Sequence, residues 1–458
     1  MLLRSLKLTN LLSFGPDAHA VDLLPLNVLI GANGSGKSNF LEAIGLLRAT
    51  PRELVIPVRE GGGVAEWIWK GNDRRTAVSD DRSRSGARSG PKSTSTSGAR
   101  SGPKSTSTSR ARSGPRSMST SDPGSVGARG FDSRAVNGDA PGIGHPRTAT
   151  VEALVDCHPR SLRHRFSFTE VGQRFELVDE RIENEEPDGG HAKPFLYFGY
   201  EGGRPMLNVK DGERRSLKRE SLHPERSILA QFRDAEKYPE LAFVGEAYDG
   251  IVLYREWSFG RRSPPRNPQP ADLPTDHLLE DATNLGLVLN RYRTDAVSKQ
   301  SVVDGLRQVF DGIVAYEVRI EGGTVQLLLE EERGWFIPAT RLSDGTVRWL
   351  SLLAVLLDPE PPRLVCIEEP ELGLHPDLMP TLARFLKEAS ARTQLIVTTH
   401  SDTLVDAFHD SPEDILVCER ERGATTMRRL DPVSLAKWLE DYRLGQLWSK
   451  GLLGGNRW

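Results

Sequence analysis

The feature that most constrains the fold of this chain is the segment GANGSGKS at residues 31–38. It matches the pattern G-x-x-x-x-G-K-[ST], and it lies between an apolar run at 26–30 and a segment at 39–48 whose apolar residues share one helical face. The backbone N–H groups of such a loop surround phosphate oxygens, and the positive end of the next helix points at them. The sequence therefore predicts a strand, a phosphate-binding loop and a helix.

The side chains of this loop indicate which ligands it takes. Lys37 places a mobile positive charge near the β- and γ-phosphates, and the hydroxyl of Ser38 is a ligand for Mg2+. We therefore expect ATP and Mg2+ to bind here. The predicted ligand-binding residues of the pattern are Gly31, Asn33, Gly34, Ser35, Gly36, Lys37 and Ser38.

A second apolar run, RLVCIEEPE at 363–371, ends in carboxylates. A buried strand would deliver Glu368 and Glu369 to the carboxyl edge of a parallel sheet, where ligands bind in open α/β folds. One carboxylate can hold Mg2+, and the other can orient and polarise the attacking water. Such a strand end is ordinary when it stands alone. The phosphate-binding motif in the same chain is what favours a role for these glutamates in catalysis.

Two further segments fit the same site. An apolar strand at 394–399 stops at His400, whose imidazole can hydrogen-bond to a γ-phosphate and to an attacking water. The segment RLSDGT precedes an apolar helix, so Ser343 and Gly345 would lie at its N-terminus with free N–H groups suited to an anion. Taken alone, a histidine in this position is more often a capping or surface residue, and a segment such as RLSDGT is more often a simple helix N-cap.

A basic repeat interrupts the chain. The sequence GARSGPKSTSTS occupies 86–97 and again 98–109, and a variant of it follows at 110–121. Residues 82–121 contain nine arginines and lysines and no acidic residue, whereas the whole chain has a net charge of −3, so the rest of the chain is acidic. This segment has too few apolar residues to fold, and we expect it to be disordered. It is either a cationic tether for nucleic acid or an insertion without a role.

Taken together and in this order, the four motifs resemble the ABC-type ATPase head shared by SMC and RecF-like proteins. GANGSGKSN resembles the Walker A motif of that family, LSDGT its signature, LVCIEEPE its Walker B motif, and His400 its switch histidine. The resemblance implies an α/β fold, a P-loop NTPase of the ABC/SMC-head type, with a β-rich lid insertion and a disordered basic repeat.

The resemblance also suggests a division of the chain. Residues 1–75 would form the N-terminal half of the ATPase head and 336–458 its C-terminal half. A low-complexity insertion at 76–145 and a β-rich lid at 146–335 would separate the two halves.

In the mechanism that the resemblance implies, two heads enclose two ATP molecules. Ser343 and Gly345 of one subunit would then face the γ-phosphate that the other subunit holds, so that a monomer would hydrolyse ATP poorly. Position by position, the resemblance implies that the nucleotide and metal are held by Lys37, Ser38 and Asn39, that Glu368 is the Walker B metal ligand, that Glu369 is the catalytic carboxylate, and that His400 is the switch. Two departures from the family pattern stand out, Glu368 in place of Asp and Asp344–Gly345–Thr346 in place of Gly-Gly-Gln.

Other classes of protein fit less well. Roughly 300 residues separate Ser38 from Leu342, too many for a compact transporter ATPase. Proline and glycine clusters without heptads at 146–335 disfavour long SMC arms, and the lack of N-K-x-D disfavours a GTPase. The longest apolar runs, such as 352–357, are far shorter than a membrane span. Three widely spaced cysteines and a polar N-terminus lead us to expect a cytoplasmic protein.

The resemblance implies an ATP-hydrolysing homodimer that acts in DNA repair or recombination or in phage defence. Only 58 residues follow His400, so we expect a nuclease or recombination factor to be a separate protein. Basic clusters at 160–165, 214–219 and 261–266 either contact DNA phosphates or lie in solvated loops. The alternative is a slow nucleotide-sensing scaffold, whose ATP-driven assembly regulates a partner without direct action on DNA.

Overall fold

A computed structural model describes residues 1–71 and 148–455, apart from residues 159, 188–190, 202, 209–213, 256 and 259. The basic repeat and the whole predicted insertion at 76–145 lie outside the described residues. The two ends that flank this gap meet at one residue, Asn10. Its carbonyl oxygen accepts a hydrogen bond from the Trp69 N–H at 2.9 Å, and its side-chain Nδ2 donates to the Thr148 carbonyl at 3.4 Å.

Three β-sheets organise the described residues. Their strands are β1 (Leu3–Thr9), β2 (Val21–Asp22), β3 (Leu26–Ile30), β4 (Ala149–Cys157), β5 (Arg160–Val171), β6 (Arg174–Asn184), β7 (Leu196–Glu201), β8 (Arg204–Asn208), β9 (Arg214–Ser216), β10 (Val252–Tyr254), β11 (Gln269–Pro270), β12 (Ile313–Glu321), β13 (Thr324–Glu331), β14 (Phe336–Pro338), β15 (Leu364–Glu368), β16 (Gln394–Thr398), β17 (Ile415–Glu421) and β18 (Ala424–Arg429).

The α-helices connect and cover these sheets. They are α1 (Lys37–Ala49), α2 (Val55–Glu60), α3 (Val64–Trp67), α4 (Ile228–Gln231), α5 (Pro239–Asp249), α6 (Leu285–Tyr292), α7 (Ala296–Arg307), α8 (Asp344–Leu356), α9 (Met379–Ser390), α10 (Asp402–Asp406), α11 (Pro432–Leu439) and α12 (Leu444–Ser449). In the part of the chain that the structure describes, none of them combines the length and the apolar character needed to span a bilayer.

The central sheet has the strand order β10-β15-β16-β3-β17-β18. The first five strands are parallel and β18 returns antiparallel to β17, so the predicted parallel α/β sheet is confirmed. Its inner strands β3, β15 and β16 are almost entirely buried, because helices or a second sheet cover both faces.

Alternate residues of the central strands feed two separate cores. In β15, Leu364 and Cys366 pack with helices α1 and α5 and with strands β1 and β4 on one face. Val365 and Ile367 pack with α6, α8 and α9 on the other face. The two-residue period of a strand explains this division.

The segment at 146–335 is β-rich, as predicted, and it shares both large sheets with the two halves of the head. An eight-stranded sheet runs in the order β2-β1-β4-β5-β6-β7-β8-β9. In it, β4 pairs with β1 at the start of the chain, with Leu6 opposite Ala153. Later in the same segment, β10 becomes the edge strand of the central sheet. The four-stranded sheet of β11 to β14 completes this region.

A single buried side chain, that of Gln394 at the start of β16, ties the two large sheets together. Its Oε1 accepts hydrogen bonds from the backbone N–H groups of Leu2 at 3.1 Å and Leu3 at 2.8 Å. Its Nε2 donates to the carbonyl oxygens of Leu3 at 2.7 Å and Leu24 at 3.1 Å. The side chain is 1% exposed, so water cannot replace these bonds.

We expect Gln394→Met to lower the free energy of unfolding by about 2–4 kcal/mol, because methionine of similar length leaves several buried backbone groups without partners. Urea unfolding followed by circular dichroism measures the loss. Gln326→Met, at an exposed position of β13, is the matched control. Equal effects of the two substitutions would contradict the bridging role of Gln394.

Candidate nucleotide and magnesium site

Three parallel strands bring the predicted site residues to one edge of the central sheet. In the register, Glu368 of β15 lies opposite Thr398 of β16, and Thr398 lies opposite Leu29 of β3. The segments that leave these strands, with the phosphate-binding loop, the Walker B glutamates and His400, therefore emerge side by side. The strand that leads to His400 lies between the other two.

The phosphate-binding loop packs tightly under the β17–β18 hairpin. A Cβ atom at Gly31 would overlap the carbonyl oxygen of Cys418, and one at Gly36 would overlap Oγ1 of Thr425. Gly36 also has a φ of 107°, which disfavours any side chain. Thr425 donates from Oγ1 to the Ser35 carbonyl oxygen at 2.8 Å, and its Oγ1 lies 2.7 Å from Oγ of Ser13. The hairpin thus fixes the loop from outside.

Polar groups in the loop fit a phosphate. Lys37 is 6% exposed, and its Nζ donates to the carbonyl oxygens of Gly31 at 2.8 Å and Ala32 at 3.2 Å. Burial lowers the pKa of its ammonium group. The buried Oγ of Ser35 has no hydrogen-bond partner among the described residues. The buried ammonium of Lys37 and the Ser35 hydroxyl both lie at the N-terminus of α1, where a helix favours a negatively charged phosphate.

Ser38 and Glu368 form the candidate metal site. The Ser38 Oγ donates to Glu368 Oε1 at 2.5 Å, which brings two oxygen ligands of the kind that Mg2+ prefers to one point. The second carboxylate oxygen, Oε2, accepts from Arg255 Nε at 3.2 Å. Arg255 lies just after β10 and also donates to Glu42 at 3.2 Å. No local sequence pattern marks Arg255.

Glu369 and His400 face each other across this edge. Glu369 Oε1 lies 3.5 Å from His400 Nε2, so that one water could contact both groups. The backbone of Glu369 is left-handed, with a φ of 47°, and its N–H donates to the Thr398 carbonyl oxygen at 3.0 Å. This conformation turns the chain sharply after β15.

A third glutamate, Glu371, supports the histidine. Its Oε1 accepts from Thr399 Oγ1 at 2.7 Å and from the His400 backbone N–H at 2.8 Å. Its other oxygen is buried and has no hydrogen-bond partner within the described ranges, and burial raises the pKa of this carboxyl. The only local sign of this residue in the sequence is its place at the end of the EEPE run at 368–371.

The signature segment lies at the start of α8. The Ser343 hydroxyl caps the helix and accepts from the Thr346 N–H at 3.1 Å. A Cβ atom at Gly345 would lie 2.8 Å from the carbonyl oxygen of Gly373, in the loop after β15, so only glycine fits there. Neither Ser343 nor Gly345 hydrogen-bonds to residues 31–38 among the described residues.

The departure of the signature at Asp344 has a partner within the chain. Its Oδ1 accepts from Arg266 at 2.6 Å and from the Gly260 N–H at 2.9 Å. The hydrogen bond from Arg266 is the main cause that lowers the pKa of Asp344. Aspartate therefore anchors the start of α8 to the segment at 260–266.

Arg348, also on α8, links this helix to the catalytic candidate. One of its terminal nitrogens donates to the Glu369 carbonyl oxygen at 2.6 Å, and its guanidinium lies 4.8 Å from the centre of the Trp257 ring. The side chain is 6% exposed, and burial lowers its pKa to about 10. No local sequence pattern marks Arg348, because its partners are distant in the chain.

We expect Thr425→Val to weaken nucleotide binding by about 5–30-fold, since the substitution removes the hydrogen bond to the buried Ser35 carbonyl at a cost of ~1–2 kcal/mol. Equilibrium dialysis with ATP and Mg2+ measures the affinity. Thr426→Val, at the exposed neighbouring position, serves as the control and should bind like the parent. Unchanged binding by Thr425→Val would show that the hairpin does not hold the loop.

Comparison with known proteins identifies a family for the chain. The model of the family described as "AAA domain, putative AbiEii toxin, Type IV TA system" matches residues 26–109 and 157–406, well over half of the chain. No curated protein shows significant sequence similarity to the chain.

Solved structures of SMC heads resemble the fold. An SMC head bound to the C-terminal winged-helix domain of ScpA is 13% identical, with 94% of this chain and 99% of that chain covered and a TM-score of 0.52. An SMC head with an extended coiled coil from Pyrococcus furiosus (11% identity, 96% and 98% covered, TM-score 0.49) and the SMC head of Thermotoga maritima (13% identity, 94% and 100% covered, TM-score 0.43) are less similar in structure. The chain therefore belongs to this AAA domain family and has the fold of a P-loop ATPase of the ABC/SMC-head type.

Proposed function

We propose that the chain binds and hydrolyses ATP with Mg2+, that ATP joins two copies in a sandwich dimer, and that this dimer controls a separate effector. The observation that carries the proposal is the convergence of Ser38, Glu368, Glu369 and His400 at one sheet edge, with Ser38 Oγ and Glu368 Oε1 2.5 Å apart and Glu369 and His400 3.5 Å apart.

Each residue has a defined task in this proposal. Residues 31–38 bind the phosphates through backbone N–H groups and Lys37, while Ser38 and Glu368 would hold Mg2+. The ion supplies positive charge beside the β- and γ-phosphate oxygens when it is bound. Glu369 orients the attacking water and accepts its proton, and His400 hydrogen-bonds to the same water.

The sandwich dimer is supported by the position of Ser343. This residue is exposed at the N-terminus of the 13-residue helix α8, where backbone N–H groups and the helix dipole attract an anion. Because Ser343 and Gly345 do not hydrogen-bond to the phosphate-binding loop of their own chain, we infer that they serve the nucleotide held by a second copy.

The basic cluster at 160–165 favours an effector over direct contact with DNA. Arg163 lies 3.7 Å from both Glu152 and Glu183, and Arg165 lies 2.8 Å from Asp179. These charges are largely neutralised within the protein, which leaves less attraction for phosphates. The family description, which names a toxin of a toxin–antitoxin system, favours defence over repair.

For activity, we expect Glu369→Gln to lower the rate of ATP hydrolysis by about 100-fold or more, because an amide cannot accept the proton of the attacking water. Phosphate release, with and without duplex DNA, measures the rate. Lys37→Ala should lose nucleotide binding itself, and Glu332→Gln, at an exposed position, should behave like the parent. Hydrolysis by Glu369→Gln at the parental rate would refute the catalytic assignment. Slow parental turnover that DNA does not stimulate, together with ATP-driven dimers, would identify the slow scaffold instead.

For assembly, we expect Glu369→Gln to form a dimer with ATP and Mg2+, and the added substitution Ser343→Arg to abolish that dimer by placing a bulky side chain at the joint. Light scattering after size-exclusion chromatography gives the mass. Ser434→Arg, at an exposed serine in the first turn of α11, is the control. A monomer under all these conditions would rule out the sandwich.

A further inference from the structure

Arg255 enters the site from the edge strand of the central sheet. Tyr254, the last residue of β10, lies opposite Ile367 of β15 in parallel register. The residues that follow them, Arg255 and Glu368, therefore lie at the same level of the sheet. The guanidinium spans two carboxylates: Nε lies 3.2 Å from Glu368 Oε2, and a terminal nitrogen lies 3.2 Å from Glu42 Oε1.

The two oxygens of Glu368 thus have different partners. Oε1 accepts from Ser38 at 2.5 Å, and Oε2 accepts from Arg255. A glutamate has one more rotatable bond than the aspartate usual at this position, so its carboxylate has more orientations to lose when it binds a metal. The second partner restricts that freedom and leaves Oε1 directed at Ser38.

The surroundings of Arg255 also suit this task. Its side chain is 32% exposed, that of Glu42 31% and that of Glu368 19%, so solvent screens these pairs less than it screens pairs at the open surface. Glu42 lies one helical turn after Ser38 in α1 and holds the guanidinium from the other side. A planar group with several fixed donors can bond to two separated carboxylates at once, whereas all the donors of a lysine lie on one nitrogen.

We propose that Arg255 is a positioning residue that fixes the Glu368 carboxylate for Mg2+ and so sets the metal dependence of nucleotide binding. This inference rests on the proposed function, because it assigns a task within the same site. Arg255 itself does not contact the metal; it acts through Glu368, as the outer partners of metal ligands generally do.

The test is a Mg2+ titration of the binding of a fluorescent ATP analogue, run in parallel with binding in EDTA. We expect Arg255→Ala to raise the Mg2+ concentration at half-maximal binding by about 10–100-fold, while affinity in EDTA changes far less. Arg255→Lys should shift the midpoint by about 3–10-fold, because it keeps the charge but loses the planar fork whose separate nitrogens bond to the two carboxylates. The lysine variant carries the test if the alanine variant does not fold.

Arg52→Ala is the matched control, since it removes an ion pair with Asp249 at the other end of α1. A midpoint of the Arg255 variants that coincides with the parental midpoint, or an equal shift in Arg52→Ala, would overturn the inference. In that case the parent would still bind nucleotide and Lys37→Ala would not, so the proposed function would stand. If the parent shows no Mg2+-dependent binding at all, the proposed function fails first.

Discussion

The parallel register of β15, β16 and β3 is the constraint on which the site depends. These strands are buried along their length and mostly apolar, and the polar side chains near their starts, Asn27 and Gln394, hydrogen-bond to neighbouring backbone. The register then places Glu368, the His400 segment and residues 31–38 at one level. Carboxylates, an imidazole and a phosphate-binding loop meet because the strands that bear them end together.

So many charged groups at one partly buried edge need partners, and two arginines contribute. Arg255 forms ion pairs with Glu368 and Glu42, while Arg348 donates to the carbonyl oxygen of Glu369. Burying a carboxylate without such a partner would cost several kcal/mol or force it to bind a proton, as the raised pKa of Glu371 illustrates. Glu368 and Glu369 are therefore held by side chains from two other segments, the residue after β10 and the helix α8.

The sequence predicted what local patterns encode. The loop at 31–38, the strands β3, β15 and β16, and the helix α8 were all readable from apolar periodicity and glycine spacing. Arg255 was not, because β10 has three residues and no local pattern reveals that it pairs with β15. Likewise, the departure of the signature at Asp344 becomes intelligible only once Arg266, 78 positions away, is seen beside it. Long-range pairing is a property of the folded chain, and a single sequence does not display it.

The meeting of Trp69 and Thr148 at Asn10 has a consequence for the length of the chain between them. Trp69 and Thr148, on either side of the gap in the described residues, are both held by Asn10, so the fold itself keeps these two points of the chain close together. In general, the entropic cost of closing a flexible segment between two fixed points rises only with the logarithm of its length, by roughly 0.6 kcal/mol for each doubling. Residues added or removed between these two points would therefore leave both anchoring hydrogen bonds of Asn10 in place. The twelve-residue repeat at 86–121 lies between them in the sequence.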